Sequence, residues 1–281
     1  MNGYAYKPTP KKAWTFGSGK ARVRFGATAL MPGGKGWQKF TPEYERQNVA
    51  GVESYACTVY ASLKAWITLS NFLGYALPKN CSERFNAILA GLQPPGGDPY
   101  TSSESIRRWG VIHNDLLPFD ETIRSTFEFY QPKPMDEGFV AEAKKIVQKY
   151  TLGFEYVFNE SPFRTPLMID RPKLIISALE RGPVCVSVHG WKEKNDTYYK
   201  DKYDSDNHWT FLVGFKEGKY WLVHDQYAPF LKKLEWDYSF QTAMVYFLKP
   251  NESGIAPNDL DYFQKMLTQI SEAIKRLLLK R

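Results

Sequence analysis

Hydrophobic and polar positions divide this chain into two textures. From Ser54 an almost unbroken apolar segment carries Tyr60, Leu63, Trp66, Ile67, Leu69, Phe72 and Leu73 around most of a helical circumference, until Gly74 stops it. A helix apolar on nearly all sides belongs in the middle of a domain. Further helices are expected at about 101 to 110, with Ser102 or Ser103 capping Ile106, Arg107 and Trp109, and at about 135 to 150, with Phe139, Ala143, Ile146 and Val147 on one face. Beyond Phe154 strand patterns take over. Phe154-Glu155-Tyr156-Val157 reads as a strand, and Arg171 to Arg181 as a helix begun by Pro172 and ended by Gly182. Pro183-Val184-Cys185-Val186-Ser187-Val188 reads as another strand, its proline tolerated at the first position.

The clearest hairpin is His208-Trp209-Thr210-Phe211-Leu212-Val213-Gly214-Phe215, then Lys216-Glu217-Gly218-Lys219, then Tyr220-Trp221-Leu222-Val223-His224-Asp225. With a two- or four-residue loop centred on Glu217-Gly218, Phe215 faces Tyr220, Thr210 faces Asp225 and His208 faces Tyr227. His208 and Asp225 are then diagonal neighbours on one sheet face, roughly 7 to 8 Å apart before their side chains lean together, and His224 points to the other face. A three-residue loop would shift the register by one and separate them.

At the ends the pattern changes again. Residues 1 to 44 are rich in Gly, Pro, Lys and aromatics, with Met31-Pro32-Gly33-Gly34 as a turn, and are expected to form an irregular arm around a larger body. In the tail, residues 251 to 281, Leu260, Phe263, Leu267, Ile270, Ile274 and Leu277 alternate steps of three and four behind Asn258 as a cap. A helix over 258–279 with such a seam has three uses open to it: packing back on its own domain, self-association, or lying as a basic helix on a membrane surface.

Composition narrows the function without naming it. The chain has 281 residues, 43% hydrophobic and 24% charged, which is ordinary for a globular protein. Its net charge of +7 is spread along the chain rather than gathered in an arm, so nucleic-acid binding is not expected. Three widely spaced cysteines without a CxxC pair argue against a disulfide framework, a zinc site or a redox dithiol. No signal-peptide segment or membrane span is visible, and the compartment is not indicated. No metal or other cofactor is expected. His113, His189 and His224 lack metal-ligand spacing and read as satisfied or exposed histidines; Cys185 reads as structural. Asp201, Asp204 and Asp206 read as a solvated loop rather than a calcium loop.

The chemistry lies in Glu53-Ser54-Tyr55-Ala56-Cys57-Thr58-Val59-Tyr60, with His208 and Asp225 far downstream. A free thiol with a pKa of about 8.5 is mostly protonated at neutral pH, so a nucleophilic cysteine needs its thiolate stabilised. Backbone N–H groups at a helix start contribute about 0.3 to 1 kcal/mol, up to ~2 when partly buried, which is roughly one pKa unit, and a facing imidazolium must supply the rest. His208 is the candidate imidazole and Asp225 the group that fixes its tautomer; the Cys57 N–H and the Gln47 amide are the candidate oxyanion donors.

These residues carry a resemblance to the papain-like cysteine peptidases, over about 45 to 250. Gly96-Gly97-Asp98-Pro99-Tyr100 leading to Ser105-Ile106-Arg107-Arg108-Trp109-Gly110-Val111-Ile112 and Leu117-Pro118-Phe119 is similar to the family's Gly-Gly turn, second helix and Pro-aromatic exit. Ala178-Leu179-Glu180-Arg181-Gly182-Pro183-Val184 resembles its helix and Gly-Pro-Val strand start. The resemblance implies an α+β papain-like fold of two lobes, helical at about 45–150 and β-rich at about 151–250, with a cleft between. It implies a thiol protease, a hydrolase of peptide or isopeptide bonds through a thioester at Cys57, with His208 and Asp225 completing a catalytic triad and a peptide or protein as substrate.

Departures from the family pattern keep other readings open. Asp225 stands where the family has Asn, and Tyr227 where a Trp shields the pair. Gly51 stands at the usual oxyanion glutamine position, with Gln47 ten residues before the cysteine. Ser54 replaces a half-cystine, which leaves Cys81 without an evident partner. A catalytically idle scaffold binding partners in a larger assembly is one alternative, and a Cys-His-Asp acyltransferase another.

Overall fold

The computed structural model describes residues 3–13, 15–16, 36–160 and 170–251. A short ribbon, β1 (Asn48–Val49) and β2 (Val52–Glu53), leads into helix α1 (Cys57–Leu73). Four more helices follow: α2 (Glu83–Leu89), α3 (Pro99–Trp109), α4 (Thr126–Phe129) and α5 (Glu137–Lys149). The chain then enters β3 (Tyr150–Asn159), makes α6 (Arg171–Leu179) and continues through β4 (Val184–Val188), β5 (Lys192–Lys194), β6 (Thr197–Tyr199), β7 (His208–Lys216), β8 (Tyr220–His224), β9 (Leu231–Glu235) and β10 (Thr242–Pro250). Among the described residues β3 to β10 form one sheet in the order β3-β10-β4-β7-β8-β9-β6-β5. Its pairs are antiparallel except β6 with β9.

Helix α1 is buried along almost its whole length, polar Thr58, Ser62, Lys64 and Thr68 included, as its apolar circumference predicts. The Trp66 indole donates to the Phe247 carbonyl at 3.0 Å, tying the helix to β10. Fully burying side chains such as Leu63, Ile67 and Leu69 contributes roughly 1.5–3 kcal/mol each. Gly74, at φ 71°, closes the helix by returning its N–H to the Ser70 carbonyl. At the other end Ala56 offers no capping side chain, so no side-chain oxygen competes for the first-turn N–H groups around Cys57.

Several boundaries differ from expectation for identifiable reasons. Helix α3 begins at Pro99, because Asp98 caps it by accepting from the Thr101 N–H at 3.0 Å and proline presets φ at the first position. Ser102 and Ser103, expected as caps, instead lie inside the core, against Thr58 at 2.6 Å and Tyr246 at 3.0 Å. Asp170 caps α6 through the Lys173 N–H, and β3 extends beyond Phe154–Val157 in both directions because β10 pairs along its full length. Strand β10, which lies between β3 and β4, has no counterpart among the strands expected from the sequence.

The β7–β8 hairpin contains the most informative difference. Lys216 pairs with Tyr220, leaving a three-residue loop with Gly218 at φ 67°, the register expected to separate His208 from Asp225. A bulge between Leu212 and Gly214 inserts Val213 as an extra residue, and Leu212 then pairs with Val223 and Phe211 with His224. The two one-residue shifts cancel. Continued along the strands, this register sets Thr210 opposite Asp225, with His208 on the same face.

The arm behaves as an irregular strap where it is described. Thr15 bridges Tyr156 in β3, the Phe16 N–H donates to the Tyr156 carbonyl at 2.8 Å, and Asn159 Nδ2 holds the Lys7 carbonyl at 2.9 Å. The Met31–Gly34 turn and the helix expected over 258–279 lie outside the described residues.

Candidate active site

Cys57 is the first residue of α1 and is completely buried. The turn that delivers it is tight: Tyr55 holds φ 55°, a region costly for a residue with a Cβ, and its N–H is anchored on Glu53 Oε1 at 3.0 Å. Burial pushes the Cys57 thiol well above its ordinary pKa; hydrogen bonds from the Trp209 and Thr58 main chain pull it down, while the Asp225 and Glu53 charges push it further up. Among the described residues no hydrogen bond joins the sulfur to His208. As folded, Cys57 is a sheltered thiol whose burial favours the neutral form.

His208 opens β7 and Asp225 follows β8 directly, both fully buried. His208 Nε2 lies 2.7 Å from Asp225 Oδ1. With Nε2–H donating to the carboxylate, Nδ1 is the basic nitrogen of the neutral ring. Burial alone would raise the Asp225 carboxyl, but the charges and hydrogen bonds of His208 and Lys232 outweigh it and hold the group far below the usual carboxylate range. Lys232 Nζ meets Asp225 Oδ2 at 2.7 Å, and Lys64 Nζ donates to the Asp225 main-chain carbonyl at 3.1 Å. Gln226, oriented so that both ends of its amide are satisfied, donates to Asp225 Oδ1 at 2.7 Å and accepts from the Ala61 N–H at 3.2 Å.

Tyr227 and Gln47 also converge here. The Tyr227 ring lies 5.5 Å from the His208 ring, centroid to centroid, and Trp191 meets the imidazole edge-to-face at 5.6 Å. The Tyr227 hydroxyl donates to Glu53 Oε2 at 2.6 Å. Gln47 is buried, and its amide donates to Glu53 Oε1 at 2.9 Å and to the Tyr227 hydroxyl at 2.5 Å. Both Gln47 N–H groups are therefore committed, and its Oε1 has no partner among the described residues. The geometry ties the expected oxyanion donor to the shielding tyrosine instead of leaving it free.

The site is covered by the chain's own arm. The N–H groups of Gly3 and Tyr4 both point at the Asn207 carbonyl, each at 3.2 Å. Gly97 donates to the Gly3 carbonyl and accepts from the Ala5 N–H, each at 3.0 Å, making a parallel bridge between Tyr4 and Gly97. A Cβ on Gly3 would lie 2.6 Å from Cys57 Sγ, so only glycine passes over the sulfur at this height, and a Cβ on Gly96 would strike the Gly3 carbonyl at 2.2 Å. Tyr4 stacks on Trp209 at 5.8 Å and its hydroxyl meets Thr242 Oγ1 at 2.8 Å, while Lys7 pairs with Asp98 at 3.0 Å.

The remaining candidate residues sort differently. His113 is half exposed beside Asp115, and His189 Nδ1 lies 2.9 Å from the Ser205 carbonyl. His224 corrects the expectation of a satisfied or exposed side chain: it is buried, stacked on Tyr44 at 4.8 Å, with neither ring nitrogen partnered among the described residues. Burial first, then the Lys64 charge, lowers its pKa to about 3. The Asp201–Asp206 loop is not simply solvated, since Lys192 bridges Asp201 and Asp204 at 2.6 Å each and buried Asp206 bonds Ser187 and Lys200 at 2.5 Å each. Cys81 and Cys185 are free and buried, and no cluster of potential metal ligands occurs among the described residues. A cavity of about 740 Å³ lined by Lys39, Tyr44, Glu45, Asn71 and Tyr75 lies apart from Cys57.

Sequence reasoning missed Lys64, Lys232, Gln226 and the placement of the expected arm over Cys57. Two of them carried a signal. Lys64 interrupts an otherwise apolar helix, and Lys232 shares the inward phase of Leu234 in an alternating strand; an inward lysine requires an anionic or carbonyl partner. Gly3 and Tyr4 carry none, because only the folded neighbours give them a role.

Comparisons of shape place this α+β architecture with the papain-like folds. Xylellain, a cysteine protease from Xylella fastidiosa, superposes with a TM-score of 0.59 at 14% identity, over 89% of this chain and 95% of that one. The proCathepsin B S9 of Trypanosoma congolense gives 0.53 at 12% identity, over 89% and 87%. The digestive procathepsin L 3 of Tenebrio molitor larval midgut gives 0.51 at 14%, over 75% and 68%. No protein-family model matches the sequence, and no curated protein matches it significantly. No helix among the described residues is long and apolar enough to cross a membrane.

Proposed function

We propose that this chain is a latent papain-like cysteine peptidase, folded with its own arm over the nucleophile. The observation that carries this reading is the buried His208–Asp225 bond of 2.7 Å on the hairpin face that meets the start of α1. Once the arm is displaced, the Cys57 thiol gives its proton to His208 Nδ1, and the sulfur attacks a peptide carbonyl carbon. The tetrahedral intermediate collapses as the C–N bond breaks, and the leaving amine takes the proton from His208. Water, deprotonated by His208, then cleaves the thioester and returns the thiol. Asp225 holds the imidazole in the tautomer this sequence needs. The Cys57 N–H stabilises the oxyanion, and Gln47 joins it when its bond to Tyr227 opens.

One observation favours a second reading, a papain-like scaffold without activity: both Gln47 donors are already committed. The two readings separate in one experiment. Gly3→Val forces a side chain against the Cys57 sulfur and so displaces the arm without deleting it. Incubated with a mixed peptide library, Gly3→Val protein is expected to generate new termini by mass spectrometry, and Gly3→Val/Cys57→Ala none. Equal product profiles from the two would remove the peptidase reading.

A further inference from the structure

Lys232 lies on β9 and is buried. Its ammonium meets three oxygens: Asp225 Oδ2 at 2.7 Å, the Tyr227 carbonyl at 2.5 Å and the Pro229 carbonyl at 2.6 Å. Three acceptors match the three N–H groups of the charged form, where a neutral amine has only two, and the Asp225 carboxylate opposes the burial that lowers the Lys232 pKa. The Trp191 ring centroid stands 4.9 Å from the nitrogen and that of Tyr198 5.8 Å, completing a cage in which the cation faces one carboxylate. That carboxylate is divided between two partners, with Oδ1 on His208 Nε2 and Oδ2 on Lys232.

We propose that Lys232 is a positioning residue for His208: by closing an ion pair with Asp225 it turns a buried negative charge into a nearly neutral acceptor, and by holding the Tyr227 and Pro229 carbonyls it fixes the loop that sets Tyr227 against the imidazole. The inference rests on reading His208 as the acid and base of the site. A neutral amide in place of Asp225 would need no countercharge; a carboxylate does. Unpaired in a buried site, Asp225 would hold a proton on His208 so firmly that the ring would no longer surrender it to a leaving amine. The other charged or titratable groups around this pair are Lys64 and Cys57 from α1, Glu53 from β2, Glu193 from β5, Tyr198 from β6, His224 from β8 and Tyr227 from the loop. None of them touches Asp225 Oδ2 among the described residues, so the neutralising contact is specific to Lys232.

The test compares the wild-type chain with Lys232→Met, Asp225→Asn and the double variant, reading the His208 imidazole pKa by NMR titration and, in the Gly3→Val background, the pH profile of peptide hydrolysis. Lys232→Met is expected to raise the His208 pKa by about one unit or more and Asp225→Asn to lower it. The double variant is expected to return within about half a unit of wild type, because an amide without a nearby cation presents the same neutral acceptor. Should Lys232→Met fail to fold around an unpaired carboxylate, the double variant decides alone: a pKa matching wild type supports the proposal, and one matching Asp225→Asn overturns it. An unchanged His208 pKa in folded Lys232→Met also overturns it. If the titrations shift as expected while no variant hydrolyses peptides, the positioning role stands and the peptidase reading fails.

Discussion

One hairpin carries two buried histidines, and its two faces treat them oppositely. On one face the ring of His208 meets Asp225 through Nε2, with Lys232 satisfying the far side of the carboxylate. On the other, His224 is pressed between Tyr44 and Phe211 with neither nitrogen bonded among the described residues and a pKa lowered to about 3 by burial and the Lys64 charge. Both are equally removed from solvent, so burial does not separate them. The difference is the partner, and register assigns it: a single bulge residue, Val213, decides whether His208 shares a face with Asp225, whereas His224, next to Asp225 in the chain, points to the opposite face in any register. An imidazole with a carboxylate on one nitrogen can cycle a proton on the other, whereas one with neither nitrogen engaged is an aromatic filler.

The sharpest way to break this comparison is to remove each ring in the Gly3→Val background. His208→Ala is expected to reduce peptide hydrolysis by roughly 10²–10⁴-fold, while His224→Phe, which keeps the stack on Tyr44, leaves it within about twofold. Comparable losses from both, with folding intact by circular dichroism, would show that the faces are not distinct. The arm comes next in size. Gly3→Val is expected to raise the iodoacetamide labelling rate of Cys57 by roughly tenfold or more over wild type, followed by peptide mass spectrometry, because labelling of the native chain must wait for local opening.

Smaller effects concern stability. His224 binds its proton less readily in the folded than in the unfolded chain, whose histidine pKa is 6.5, so the unfolded state gains protons first as pH falls. Its contribution is fully present above about pH 6.5 and declines toward pH 3, by at most about 1.4 kcal/mol per pH unit. Denaturant titrations across this range should show that slope reduced in His224→Phe. At pH 7 the same substitution removes two unpartnered buried nitrogens and is expected to stabilise the fold by about 1–2 kcal/mol, read from the denaturation midpoint.

Periodicity made much of this molecule legible. Helix α1 announced itself because its apolar residues cover most of the circumference and Gly74 supplies the left-handed stop. The hairpin was legible because its two halves alternate around Gly218, yet its turn length was not, and the face assignment survived only because Val213 cancelled the shift. Bulges leave little trace in a run of apolar residues such as Phe211-Leu212-Val213. The commitment of Gln47 to Glu53 and Tyr227 was invisible, since three residues separated by up to 180 positions meet only after folding. The same holds for Gly3 over Cys57, where an early glycine in a Pro- and Lys-rich segment looks like any other loop residue.

The most direct test of the account is the pH dependence of Cys57 alkylation in Gly3→Val protein, with and without His208→Ala. We predict a labelling profile whose inflection lies well below the pKa of about 8.5 of a free thiol, and its return to that ordinary value when His208 is removed. An inflection near 8.5 in both proteins would mean that Cys57 is an uncoupled cysteine, and the account of this site as a cysteine–histidine pair would be wrong.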